Sequence, residues 1–163
     1  MDAMDGMCSE EIGRELREAG FMIACAESCT GGLLTSMLTD IPGSSAYLMG
    51  SVVSYSNDVK SRVLGVSEET LSRYGAVSEE TARAMAEGVR RLMQTDIGVG
   101  ITGIAGPDGG SEEKPVGLVY IAIADQTHTI VEKNNFSGTR LENKRAAVKK
   151  ALSMIHDLIR SSL

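Results

Sequence analysis

Tryptophan is absent from this chain and phenylalanine occurs only twice, so the core has to be built from Leu, Ile, Val, Ala and Met. No apolar run approaches the roughly 20 residues that cross a bilayer. The acidic start MDAMDGMCSEE also lacks the apolar stretch of a secretory signal, so neither a membrane span nor a leader is expected. A basic stripe is missing too. The net charge is −6, and the positive residues are scattered except near the C-terminal end. That argues against a dedicated nucleic-acid binder, whereas a small anion needs only one or two local arginines. Cysteine occurs three times, as Cys8, Cys25 and Cys29. The odd number and the lack of a framework spacing read as reduced thiols in the cytoplasm. Cys25 and Cys29 have no histidine nearby to complete a zinc set, so neither metal nor cofactor is expected.

What is present suits one ordinary domain: 163 residues, 42% of them hydrophobic, with residues 1–7 read as a loosely attached N-terminus. Apolar positions at helical spacing predict a helix over 7–19, ended by Gly20, and another over 31–41, ended by Pro42-Gly43. Short apolar runs at 21–26 and 47–55 predict buried strands. A short helix follows over 57–64, capped by Ser56 or Asn57. The twin phrases VSEETLSRYG and VSEETARAMAEGVRRLM each set Ser before two glutamates, which marks two helix starts. Strands are predicted at 97–105 and 116–124, separated by the loop GPDGGSEEKP. The strand at 127–136 closes a hairpin through Asp125-Gln126, and a long amphipathic helix fills 139–162. The order α-β-α-β-α-α-α-β-β-β-α implies a mixed, mainly parallel sheet covered by helices on both faces. The apolar last helix and the methionines suit self-association, and a core role explains them equally well.

In such sheets ligands sit beyond the carboxyl ends of the strands. Three segments emerge there. The first is AESCTGG, where Ser28 or Thr30 either caps the next helix or, in the case of Ser28, acts as a nucleophile on a strand-to-helix turn. Gly31 and Gly32 would let the backbone approach a ligand. A serine nucleophile needs a base, yet His128 and His156 both fall outside these segments, which argues against a Ser-His-Asp triad. The second segment, YSNDVK, offers Lys60 as base and Tyr55 as a phenol at the end of a neighbouring strand. Taken singly, they also read as a solvated lysine and an amphipathic strand end. The third segment runs from Thr102 through Gly103 and Gly106 to Gly110, and is either a nest for phosphate or carboxylate or a plain surface loop.

Together, AESCTGG, YSNDVKSRVLGV, GAVSEETARAMAEG and ITGIAGPDGGSEEKPVGLVYIA resemble the CinA C-terminal domain family, from about Cys8 to the end. Stand-alone members are nicotinamide-nucleotide amidases. Many relatives carry a further N-terminal domain similar to molybdopterin-binding proteins, for which 163 residues leave no room, so that domain's functions are not expected here. The resemblance implies a three-layer α/β/α sandwich, similar to anticodon-binding domains. It implies hydrolysis of the carboxamide of nicotinamide mononucleotide, with Ser28, Tyr55 and Lys60 as the catalytic residues. On that basis the N–H groups of Cys29, Thr30, Gly31 and Gly32 would hold the oxyanion. Thr102, Gly103 and Gly106 would cradle the nucleotide, and Arg140, or second Arg145, would hold its phosphate. Lys60 would act directly or through Tyr55. Cys29 is the rival nucleophile. The alternatives are an amidase for another carboxamide and a competence- or DNA-damage-associated protein-binding module.

Overall fold

The computed structural model describes residues 3–162, with side chains from Ser9 onward. Six helices and five strands alternate as α1(Ala3–Ala19), β1(Ile23–Glu27), α2(Leu33–Thr39), β2(Leu48–Val53), α3(Asn57–Arg62), α4(Glu68–Tyr74), α5(Glu79–Met93), β3(Ile97–Gly103), β4(Leu118–Ala124), β5(Thr129–Asn135) and α6(Arg140–Ser161). The order of elements is the one expected. The backbone of α1 begins at Ala3, and the expectation of a loose segment over 1–7 falls on positions whose side chains lie outside the described residues.

The sheet order is β2-β1-β3-β4-β5. β1 pairs in parallel with β2 and with β3, and the β3/β4 and β4/β5 pairs are antiparallel, so only β4 opposes the other strands. The sheet is therefore mixed and mainly parallel in direction. β1 lies in its interior and all five of its residues are buried, as an apolar run covered on both faces requires.

The two faces are packed differently. On one, Ile97, Val99 and Ile101 of β3 meet Ile12 and Leu16 of α1, Leu34 and Leu38 of α2, and Ala151, Leu152 and Ile155 of α6. The apolar side of α6 is thus spent on the core of its own chain. On the other face β3 presents Gly98 and Gly100, and α5 lies directly on them. A Cβ at Gly98 would collide with the Ala86 carbonyl, and one at Gly100 with the Ala82 carbonyl. That close approach seats Ala82, Ala86, Met85 and Val89 against the alanines of β1 and β4. No helix of the described residues is long and apolar enough to cross a membrane.

Candidate active site

β1, β2 and β3 end side by side, with Glu27 paired to Val53 and to Ile101. The ladder runs one step further: Ser54 N donates to Glu27 O at 2.8 Å and Ser28 N to Ile101 O at 2.9 Å. These two bonds hold Ser28 at the carboxyl edge between its neighbours. Ser56 caps α3, its hydroxyl accepting from Val59 N at 3.2 Å. One turn into that helix Lys60 leans back towards the N-terminus, as helical side chains do, and is 1% exposed. Its Nζ lies 3.0 Å from Ser28 Oγ, 2.7 Å from Ser54 O and 3.3 Å from Tyr55 O. Burial pushes the Lys60 amine below its ordinary value, and the nearby Cys29 thiol partly offsets this.

Lys60 can stand in this triangle as a neutral amine or as an ammonium. A neutral amine has two N–H bonds and one lone pair. Two of the three partners are carbonyls, which only accept. They take the two N–H bonds, so the lone pair is left facing the Ser28 hydroxyl. Neutral Lys60 therefore accepts the Ser28 proton, and charged Lys60 donates to Ser28 Oγ through the same contact.

The turn before α2 is built by Glu27, which is fully buried. Its Oε1 accepts from Thr30 Oγ1 at 2.7 Å and Leu34 N at 2.9 Å. Its Oε2 accepts from Thr35 N at 2.9 Å and Thr35 Oγ1 at 2.6 Å. The carboxylate thus does the capping that the sequence suggested for Ser28 or Thr30. Gly31 and Gly32 have φ of 62° and 103°, outside the right-handed helical region, so α2 starts at Leu33 rather than at Gly31.

A cleft of about 300 Å³ opens in front of Ser28. Cys29, Tyr55, Lys60, Thr102, Gly103, Gly106 and Arg140 line it with Ser28. Three groups of expected site residues are placed differently from the rest. Thr30, Gly31 and Gly32 do not line the cleft: the Thr30 hydroxyl is taken by Glu27, and Gly31 N donates to Ser28 O. Arg145 is exposed beside Glu142 and does not reach it. Tyr55, a residue 66% exposed, holds Lys60 by its carbonyl, whereas its phenol accepts from Arg140 at 3.4 Å. A proton relay from Ser28 through that phenol therefore has no hydrogen-bonded path here. The Thr102 hydroxyl donates to Ala76 O at 2.7 Å, so Thr102 offers the cleft little beyond its surface. Arg140 spans the mouth, with one nitrogen on Gly106 O at 2.6 Å. Burial pushes the Cys29 thiol up to about 12, its own N–H lowering it and the Glu27 charge raising it further; Lys144 and Lys60 offset this only in part. That keeps the thiol protonated and disfavours Cys29 as nucleophile.

The CinA C-terminal domain family matches residues 6–159. The chain belongs to this family. A CinA-like protein of Syntrophomonas wolfei is 53% identical over 140 residues, which are 86% of this chain and 34% of that protein. The chain thus spans about a third of the curated relatives it matches. Among solved structures, the competence/damage inducible protein CihA from Agrobacterium tumefaciens superposes with a TM-score of 0.94 at 40% identity, covering 97% of both chains. A CinA superfamily protein from Enterobacter cloacae gives a TM-score of 0.89 at 33% identity, covering 96% of this chain and 91% of that one. The three-layer α/β/α fold is that of the family.

Several residues at the site were not singled out from the sequence. Glu27 stood inside AESCTGG, but a carboxylate ending an apolar strand carries no signal that it caps the next helix. Asn143 is buried and bonds Ala105 O at 3.0 Å and Gly138 O at 3.1 Å through Nδ2, which docks the start of α6, and with it Arg140, onto the cleft loop. Asn57 and Asp108 also line the cleft. Lys144 stands over Gly31, one turn beyond Arg140.

Proposed function

We propose that the chain is a serine amidase that hydrolyses the carboxamide of nicotinamide mononucleotide to nicotinate mononucleotide and ammonia. The observation that carries this reading is the 3.0 Å contact between Lys60 Nζ and Ser28 Oγ, made by a buried amine whose other two partners are carbonyls. The substrate class rests on the sequence resemblance to stand-alone amidases of the CinA family, to which the chain belongs. Ser28 Oγ attacks the carboxamide carbon while its proton passes to the Lys60 lone pair. The oxyanion forms near the N–H group of Cys29, which lines the cleft beside Ser28 and has no backbone acceptor among the described residues. Such a donor is worth about 3 kcal/mol in other hydrolases. The Lys60 ammonium then protonates the departing nitrogen, ammonia leaves, and an ester to Ser28 remains. Water attacks the ester with Lys60 again as base, releasing the acid. Arg140 holds the phosphate, for which a guanidinium is suited.

The reading is tested by incubating the purified chain with nicotinamide mononucleotide and following ammonia. Release is expected from the wild type and from Cys29→Ala, and not from Ser28→Ala. No release from wild type at micromolar enzyme sinks it. Activity in Ser28→Ala together with none in Cys29→Ala moves the nucleophile to the thiol. The protein-binding reading rests on the competence and damage names of relatives, and no feature of the cleft favours it.

A further inference from the structure

We propose that Glu11, Glu15 and His156 form a site for one divalent transition-metal ion of the zinc class, which clamps α1 to α6. The three residues lie outside the cleft. Glu11 and Glu15 stand one turn apart on α1, and His156 comes from α6, which packs along α1. One ligand atom from each lies within 4.8 Å of the other two, and all three residues are half-buried. His156 Nδ1 is 2.7 Å from Glu15 Oε1 and 2.8 Å from Oε2, so both carboxylate oxygens face the ring nitrogen.

An ordinary His–Glu ion pair accounts for Glu15 but not for Glu11. The second carboxylate converges on the same point without a cation of its own. Arg14 and Arg160 border the adjoining surface cavity of about 280 Å³ together with Glu18. Neither arginine is in an ion pair with Glu11 or Glu15 among the described residues. A dication answers the arrangement. Two carboxylates balance its charge, and an imidazole with carboxylate oxygens is a donor set that zinc accepts. Bonds of about 2.0–2.2 Å imply ligand atoms roughly 3.3 Å apart, which small rotamer changes reach from the observed spread. The cavity beside Glu11 and Glu15 leaves room for a water as fourth ligand. Neither histidine nor glutamate signalled this in the sequence, because the ligands lie on the first and last helices and no local spacing links them.

The test is calorimetric titration of zinc chloride into the intact chain at neutral pH in chelator-free buffer, with cobalt(II) absorption as a second readout. The expected result is one ion per chain with a dissociation constant of about 10 µM or tighter, weakened about 10-fold or more in Glu11→Gln and in His156→Gln. Zinc is also expected to raise the thermal midpoint of the wild type and of neither variant. Glu11→Gln keeps the His156–Glu15 contact, so it separates loss of metal from loss of the helix–helix pair. Absence of saturable binding by the wild type below about 100 µM overturns the proposal, and so does binding that survives both substitutions.

Discussion

On one side of Ser28 the chain buries a carboxylate, and on the other it buries an amine. Glu27 receives four hydrogen bonds from two threonine hydroxyls and two backbone N–H groups, which fill the lone pairs facing α2. All four partners donate to the carboxylate, two of them from the backbone of α2, and their joint work is to shape the turn. Lys60 is tied to two carbonyls and one hydroxyl. The hydroxyl can give or take a proton, so this arrangement has two states related by one proton transfer. The difference teaches how to separate a structural buried charge from a chemical one. Burial is common to both; the hydroxyl partner of Lys60 opens onto the cleft, whereas those of Glu27 do not line it.

Substitutions on the two sides should therefore separate activity from stability. The largest effect is expected from Lys60→Met, which lowers kcat/KM for ammonia release by about 10³-fold or more, about 4 kcal/mol of barrier. The same variant is expected to lose less unfolding free energy in urea than Glu27→Gln does. Next comes Glu27→Gln itself. Its amide NH2 faces donors that the carboxylate accepted from, and a loss of about 3 kcal/mol in urea unfolding is expected. Comparable stability losses in the two variants would erase the contrast.

The pH profile gives a third, smaller effect. Burial lowers Lys60 from its ordinary 10.5, so kcat/KM should rise with pH through a midpoint below that value, and the residual activity of Lys60→Met should lack this limb. Between the folded and unfolded values the unfolded chain binds more protons. The Lys60 contribution to stability therefore grows as pH rises through that window and is lost below the folded value. The smallest effect is expected at Ser54, whose hydroxyl is buried without a hydrogen-bond partner among the described residues. Ser54→Ala should gain about 1 kcal/mol in thermal unfolding and leave kcat/KM within about 2-fold, because Lys60 is held by the carbonyl of that residue.

Much of the architecture was legible in advance, for local reasons. Alternating strand and helix periods, Pro42-Gly43, the twin Ser-Glu-Glu starts and the Asp125 turn are signals carried by a few adjacent residues. The hairpin forms as expected, with Asp125 Oδ1 accepting from Thr127 N at 2.8 Å and His128 N at 2.9 Å. Side-chain direction was not legible. Tyr55 and Arg145 carry plausible chemistry, but one turns its phenol towards Arg140 and the other faces solvent. Thr30 looked like a cap or a ligand and instead serves Glu27. Gly98 and Gly100 read as residues of an apolar run, and only the seat of α5 explains why neither carries a side chain.

By itself, then, the sequence determined the order of elements and the three segments at the carboxyl edge, because each is written within a short stretch of chain. The tertiary structure decided that Lys60 is buried with its Nζ 3.0 Å from Ser28 Oγ, that Glu27 caps α2, and that α1 and α6 bring Glu11, Glu15 and His156 together. Those outcomes depend on distances between residues far apart in the chain, and such distances follow from how helices and strands pack rather than from the period of any one element.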